Sequence, residues 1–202
     1  MMLDKILKIF NIRADRNQKP ILLSAFVTGL LLTYINPCLT KAIITALPAE
    51  WLAFQSLFGS ISGLLIGMLW KGKIRTKIMR WFFWLCVTES IAGFILCMWL
   101  CFVEFNVWVF AISSMIYMSF VTQFVYKCIM AFKTVLWKDR GRELYDNNTS
   151  IISGIVCIIG FGMALLFMPS LKVALFLWGL CCITDDLGWI ITYIRNKRQL
   201  QK

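Results

Sequence analysis

Six stretches of about 20 mostly apolar residues divide this chain, at 21–40, 51–70, 81–103, 106–132, 151–168 and 173–194. Each is long enough to cross about 30 Å of hydrocarbon as a helix. None keeps a sustained period-2 alternation, so the pattern is helical rather than that of a transmembrane barrel. The composition agrees. Hydrophobic residues make up 60% and charged residues 15% of 202 positions, whereas a soluble domain is nearer a quarter charged. The expected fold is an all-α, polytopic membrane protein of six transmembrane helices. Residues 1–20 form an interfacial segment and hinge, 21–194 the transmembrane domain, and 195–202 a basic cytoplasmic tail.

The net charge of +11 invites a nucleic-acid reading, but the placement of the charges argues for lipid. Lys5, Lys8, Arg13, Arg16 and Lys19 precede the first run, and Lys71, Lys73, Arg75, Lys77 and Arg80 join the second to the third. Lys133, Lys138, Arg140 and Arg142 join the fourth to the fifth, and Arg195, Lys197, Arg198 and Lys202 follow the sixth. The other side holds Lys41 and Lys172. This asymmetry predicts that both termini are cytoplasmic, in a cell membrane. The glycosylation-like Asn147-Asn148-Thr149 then falls on the cytoplasmic side and carries no meaning. Upstream, Leu3, Ile6, Leu7 and Phe10 recur at helical spacing with Lys5 and Lys8 between them, as in a short amphipathic helix lying in the headgroup layer. Pro20 is placed to start the first spanning helix.

Histidine is absent, which removes the commonest general base and the usual metal ligand. The eight cysteines lie inside the apolar runs without a CxxC pair and read as small packing residues. No catalytic residue, metal or cofactor is expected, and the chain does not read as an enzyme.

Charges inside the apolar runs are costly, about 2.5–3.5 kcal/mol each at the helix centre, so they mark function or a specific pairing. Glu89 lies nine residues past Arg80, and Asp186 nine residues before Arg195. Both are therefore roughly 13 Å from the cytoplasmic edge. They are proton-coupling candidates. Asp185 sits about 100° round the helix from Asp186 and cannot face the same partner; Gly179, Cys182 and Tyr193 share the face of Asp186. Lys127 either pairs with negative charge in a cavity or snorkels to the inner headgroups.

Polar residues form stripes on two runs: Ser119, Thr122, Gln123, Tyr126 and Lys127 on the fourth, and Gly29, Thr33, Asn36 and Thr40 on the first, near Pro37. Such a stripe lines a wet cavity or serves interhelical hydrogen bonding. The cavity reading makes Thr33, Asn36, Ser119, Gln123, Tyr126 and Lys127 substrate-binding candidates. Small residues stripe two other runs: Ser56, Ser60, Gly63 and Gly67 on the second, and Ser150, Ser153 and Gly154 on the fifth. These faces permit close helix packing, within one chain or between two.

The stretch Gly67-Met68-Leu69-Trp70-Lys71-Gly72-Lys73-Ile74-Arg75-Thr76-Lys77 resembles the G-x-L-x-D-R-x-G-R-R/K loop of the major facilitator superfamily. Gly67, Leu69 and Arg75 match, while Lys71, Gly72 and Ile74 depart from the pattern. Phe10-Asn11-Ile12-Arg13 and the Lys138-to-Gly154 stretch add to the likeness. The resemblance implies half of a twelve-helix transporter, with six spans built as a 3+3 inverted repeat. It implies that spans one and four line the cavity, that two and five meet the other half, and that three and six are peripheral. A chain of this size would then work as a homodimer or with a partner membrane subunit, moving a small polar or anionic solute. Two alternatives stand beside it: the solute-binding subunit of an energy-coupling-factor importer, for which Ala25 and Gly29 offer a small-residue face, and a non-transporting membrane interaction protein.

Overall fold

A computed structural model describes residues 14, 17–70, 72–103, 105–137 and 139–200, with the backbone alone at 72–80, 118, 120, 122, 139 and 197–200. The amphipathic segment expected before residue 14 lies outside the described residues. So do Lys71 and the side chains of the basic loop that follows it.

All described secondary structure is helical: α1 (Lys19–Ala46), α2 (Glu50–Leu69), α3 (Gly72–Phe102), α4 (Val107–Ile116), a π-helical turn (Tyr117–Val121), α5 (Thr122–Leu136), α6 (Asp139–Leu166) and α7 (Leu171–Leu200). Five stretches are long and apolar enough to cross a membrane: α1, α2, residues Trp81–Phe102 of α3, Arg140–Leu166 of α6 and Leu171–Asn196 of α7. This is the make-up of a multi-pass membrane protein. In hydrocarbon each backbone N–H and C=O must find its partner inside its own segment, which is why apolar runs become helices.

Proline, serine and asparagine mark the ends. Pro20 stands in the first turn of α1, where a missing N–H is harmless. Pro48 follows the last turn of α1, and Pro169 precedes α7. Ser170 caps α7, its hydroxyl accepting from the N–H of Val173 at 3.4 Å. Asn106 caps α4 by accepting from the N–H groups of Trp108 and Val109 at 2.9 and 3.2 Å. Pro37 lies within α1, so the carbonyl of Thr33 loses its helical donor.

The order of packing puts α7 at the centre, against α1 on one side and α3 on the other. Half of the α7 span is buried, against 11% of α2. Helix α1 also packs on α6; α2 packs on the π turn and α5; α3 packs on α5. Two close approaches fix α1. A methyl group placed on Gly188 of α7 would come within 2.7 Å of the backbone of Pro20 and Ile21. One placed on Gly160 of α6 would collide with the hydroxyl of Thr33.

Two large apolar layers and a smaller cluster of Leu47, Trp51, Ala111 and Met115 result. Near the start of α1, Ile21, Leu22 and Phe26 pack with Phe82, Phe132 and Trp189. There Phe82 stacks on Phe132 at 5.0 Å, and Trp137 stacks on Tyr145 at 4.9 Å. Near its end, Ile35 and Leu39 pack with Leu100, Phe110, Leu175 and Trp178. Polar anchors tie the outer edge of the first layer: Gln18 Nε2 donates to the carbonyl of Gly141 at 2.9 Å, and the Thr192 hydroxyl donates to that of Asn17 at 3.2 Å. Six of the eight cysteines are buried, all are free, and they fill these layers as small apolar groups.

Candidate functional site

Between the two apolar layers lies a polar belt. On α3 it contains Glu89 and Ser90, on α7 Thr184, Asp185 and Asp186, and on α1 Ser24 and Thr28. The Ser90 hydroxyl donates to Asp186 Oδ2 at 3.0 Å, and Asp186 is 3% exposed. The thiol of Cys86, one turn earlier on α3, also lies within hydrogen-bonding reach of Asp186. Glu89 meets the phenol of Tyr117, the first residue of the π turn. Its second oxygen, Oε2, is buried and has no partner among the described residues.

Helix α1 closes the belt from the other side of α7. Ser24 Oγ donates to the carbonyl of Asp185 at 3.0 Å and also contacts that of Thr184. The hydroxyls of Thr28 and Thr184 share a hydrogen bond at 2.8 Å. Asp186 is therefore buried and hydrogen-bonded, whereas the side chain of Asp185 is exposed.

None of the three acids pairs with a cation among the described residues; the Lys133–Asp146 ion pair, at 2.9 Å, lies elsewhere, where α5 meets α6. Acids inside apolar helices without a counter-ion are rare and costly, which makes these carboxyls a candidate functional site. The π turn beside them is a second mark of function, because such turns are rare and recur at working sites. Among the described residues no cluster of histidine, cysteine and acid could hold a metal ion.

The residues proposed from polar stripes divide into separate places. Thr33 is half-buried at the crossing of α1 and α6, its hydroxyl 2.8 Å from the carbonyl of Gly29 and 3.1 Å from that of Val156. Asn36, one turn on, is exposed and accepts from Thr40 at 3.5 Å. Both line a cavity at the end of the bundle where α1 finishes and α2 begins. Ser119 and Gln123 instead face α2: Ser119 is buried against Gly59, and Gln123 Nε2 donates to the carbonyl of Gly59 at 3.1 Å. Tyr126 and Lys127 are exposed.

The small-residue stripes divide as well. Gly63 packs within the chain, directly under the amide of Gln123. Ser56 and Ser60 are exposed and turn their hydroxyls onto their own helix, at 2.9 and 3.0 Å from the carbonyls of Leu52 and Ser56. Gly67 and Gly154 face open space, and Ser153 is exposed.

Sequence reasoning did not single out Ser24, Thr28, Ser90 or Tyr117 as site residues. Ser24 and Thr28 carry a signal, since they stand four residues apart on one face of α1. Tyr117 carries none, because its partner Glu89 stands on a different run of the sequence. Comparison with protein-family models, with curated proteins and with solved structures finds no match to this chain.

Proposed function

We propose that this chain is a six-span half-transporter, two copies of which enclose a passage for a small polar solute, with Glu89 and Asp186 coupling its movement to protons. The observation that carries this reading is the polar belt itself: two carboxyls on facing helices, hydrogen-bonded by Ser90 and Tyr117, between two apolar layers.

The helical order supports six crossings. Residues Val107–Leu136 are helical throughout, as α4, the π turn and α5. Thirty residues at 1.5 Å each extend about 45 Å, enough to cross as a single fourth span. The packing order supports the 3+3 arrangement of the major facilitator kind. Exchanging spans one, two and three with four, five and six turns the α1–α6 contact into that between α2 and the fourth span. It turns α1–α7 into the contact of α3 with the fourth span, and maps α3–α7 onto itself. The basic loops all fall on the side of both termini, which this reading assigns to the cytoplasm. The exposed small residues Ser56, Ser60, Gly67, Ser153 and Gly154 are the face for the second copy.

The test is reconstitution. Purified protein in liposomes, assayed over a panel of neutral and charged solutes with its native mass measured in parallel, is expected to accumulate at least one solute as a species of two chains. A monomer that moves none of them would overturn the proposal.

A further inference from the structure

The geometry points to a binding site for an uncharged, amphipathic small molecule in the cavity between α1, α2, α4, α6 and α7; it rests on the transport reading, whose solute class it narrows. The cavity measures about 360 Å³, within the range of small-molecule sites. Hydroxyls and amides from Thr33, Asn36, Thr40, Gln55 and Ser114 converge on it, and Leu39, Phe110, Phe161 and Trp178 supply apolar walls. No charged side chain is among its lining residues. Lys127, which the sequence leaves either as a charge partner in a cavity or as a snorkelling residue, is exposed and is not among the lining residues.

An ion entering this cavity would surrender its hydration with no opposite charge to meet it, which is heavily unfavourable. A neutral molecule with an apolar body and one or two hydrogen-bonding groups faces no such penalty. Partners for those groups are present. Asn36 accepts from Thr40 through Oδ1, which leaves its amide hydrogens for a ligand. The amide of Gln55 makes no hydrogen bond among the described residues, and Pro37 frees the carbonyl of Thr33 from the helical ladder.

The cavity also touches the carboxyl belt through one chain of contacts. Trp178 meets Phe110 edge-on at 5.4 Å and Tyr117 edge-on at 6.4 Å, and Tyr117 meets Glu89. A ligand pressing on Trp178 therefore acts two side chains away from a proton-exchanging group. That is the arrangement a coupled carrier needs.

The test uses four probes with one apolar body and different head groups: phenylbutanamide, phenylbutanol, phenylbutylammonium and phenylbutyrate. Binding to the purified full chain is followed by tryptophan quenching and by saturation-transfer NMR. The amide and the alcohol are expected to bind saturably, each at least about tenfold tighter than either ion. Asn36→Leu and Gln55→Leu, in samples that remain monodisperse, are expected to weaken the amide about tenfold. The comparison between head groups needs only the natural chain, so it stands even if a variant fails to fold. Ions binding as tightly as the neutral probes, or neither neutral probe saturating, would overturn the site. Saturable neutral binding by a chain that moves no solute would keep the site and remove the transport reading. Uptake without neutral binding would do the reverse.

Discussion

The hydroxyl of Ser90 on α3 donates to Oδ2 of Asp186 on α7 at 3.0 Å, across an interface where Asp186 is 3% exposed. Interhelical hydrogen bonds of this kind contribute about 0.6 kcal/mol on average in membranes and up to about 1.7. A double-mutant cycle of Ser90→Ala and Asp186→Ala, read by unfolding in mixed micelles, is expected to give a coupling energy in that range. Strictly additive losses would show that the two side chains act independently.

Glu89 and Asp186 differ from Asp185 in what surrounds them, and the proposed coupling role predicts that substitutions at the two kinds of site differ in effect. Tyr117→Phe removes the phenol that faces Glu89. It is expected to slow proton-coupled uptake by about tenfold or more, the size of one lost hydrogen bond to a charged group. Asp185→Asn changes an exposed side chain and is expected to leave uptake within about twofold. The comparison is read from initial rates at matched folded protein.

Gly160 and Gly154 stand on the same helix in opposite surroundings. A side chain at Gly160 collides with Thr33, whereas Gly154 faces open space. Gly160→Leu is expected to destabilise the chain by about 1–3 kcal/mol or to prevent folding. Gly154→Leu and Gly67→Leu are expected to keep the thermal midpoint of the monomer while abolishing the dimer. Native mass spectrometry and thermal unfolding in detergent distinguish the two effects.

Lys133 is buried in an ion pair, whereas Lys127 is exposed. The Lys133 ammonium lies 2.9 Å from Asp146 and 4.3 Å over the ring of Tyr145. Asp146 is 59% exposed, so solvent weakens the ion pair, and Lys133→Ala is expected to lose only about 1 kcal/mol. Lys127→Ala is expected to change neither stability nor uptake. A drop in anion uptake with Lys127→Ala would mark it as a substrate ligand.

Much of the helical architecture is legible in the sequence because lipid leaves few choices. Runs near 20 apolar residues, with Pro20 at the start of the first, suffice to place most of the helices. The carboxyls at Glu89 and Asp186 are legible for the same reason, since a charge in such a run stands out. Which partner each acid meets is not legible. Ser90 follows Glu89 in the chain yet serves Asp186, a relationship that depends on how α3 and α7 face each other. The π turn at Tyr117–Val121 leaves no mark in composition either, and neither does the meeting of Tyr117, its first residue, with Glu89 on another run. Stripe reasoning treats one helix at a time, so it places Thr33 with Gln123, whereas the fold puts one against α6 and the other against α2.

The most direct test of the central claim is proton movement in liposomes loaded with a pH-sensitive dye, recorded while each solute of the panel is applied as a gradient. The natural chain is expected to shift the internal pH with at least one solute, and Glu89→Gln and Asp186→Asn, reconstituted at equal folded amount, are expected to abolish that shift. Solute uptake that proceeds equally with and without a proton gradient, and that neither substitution alters, would contradict the account.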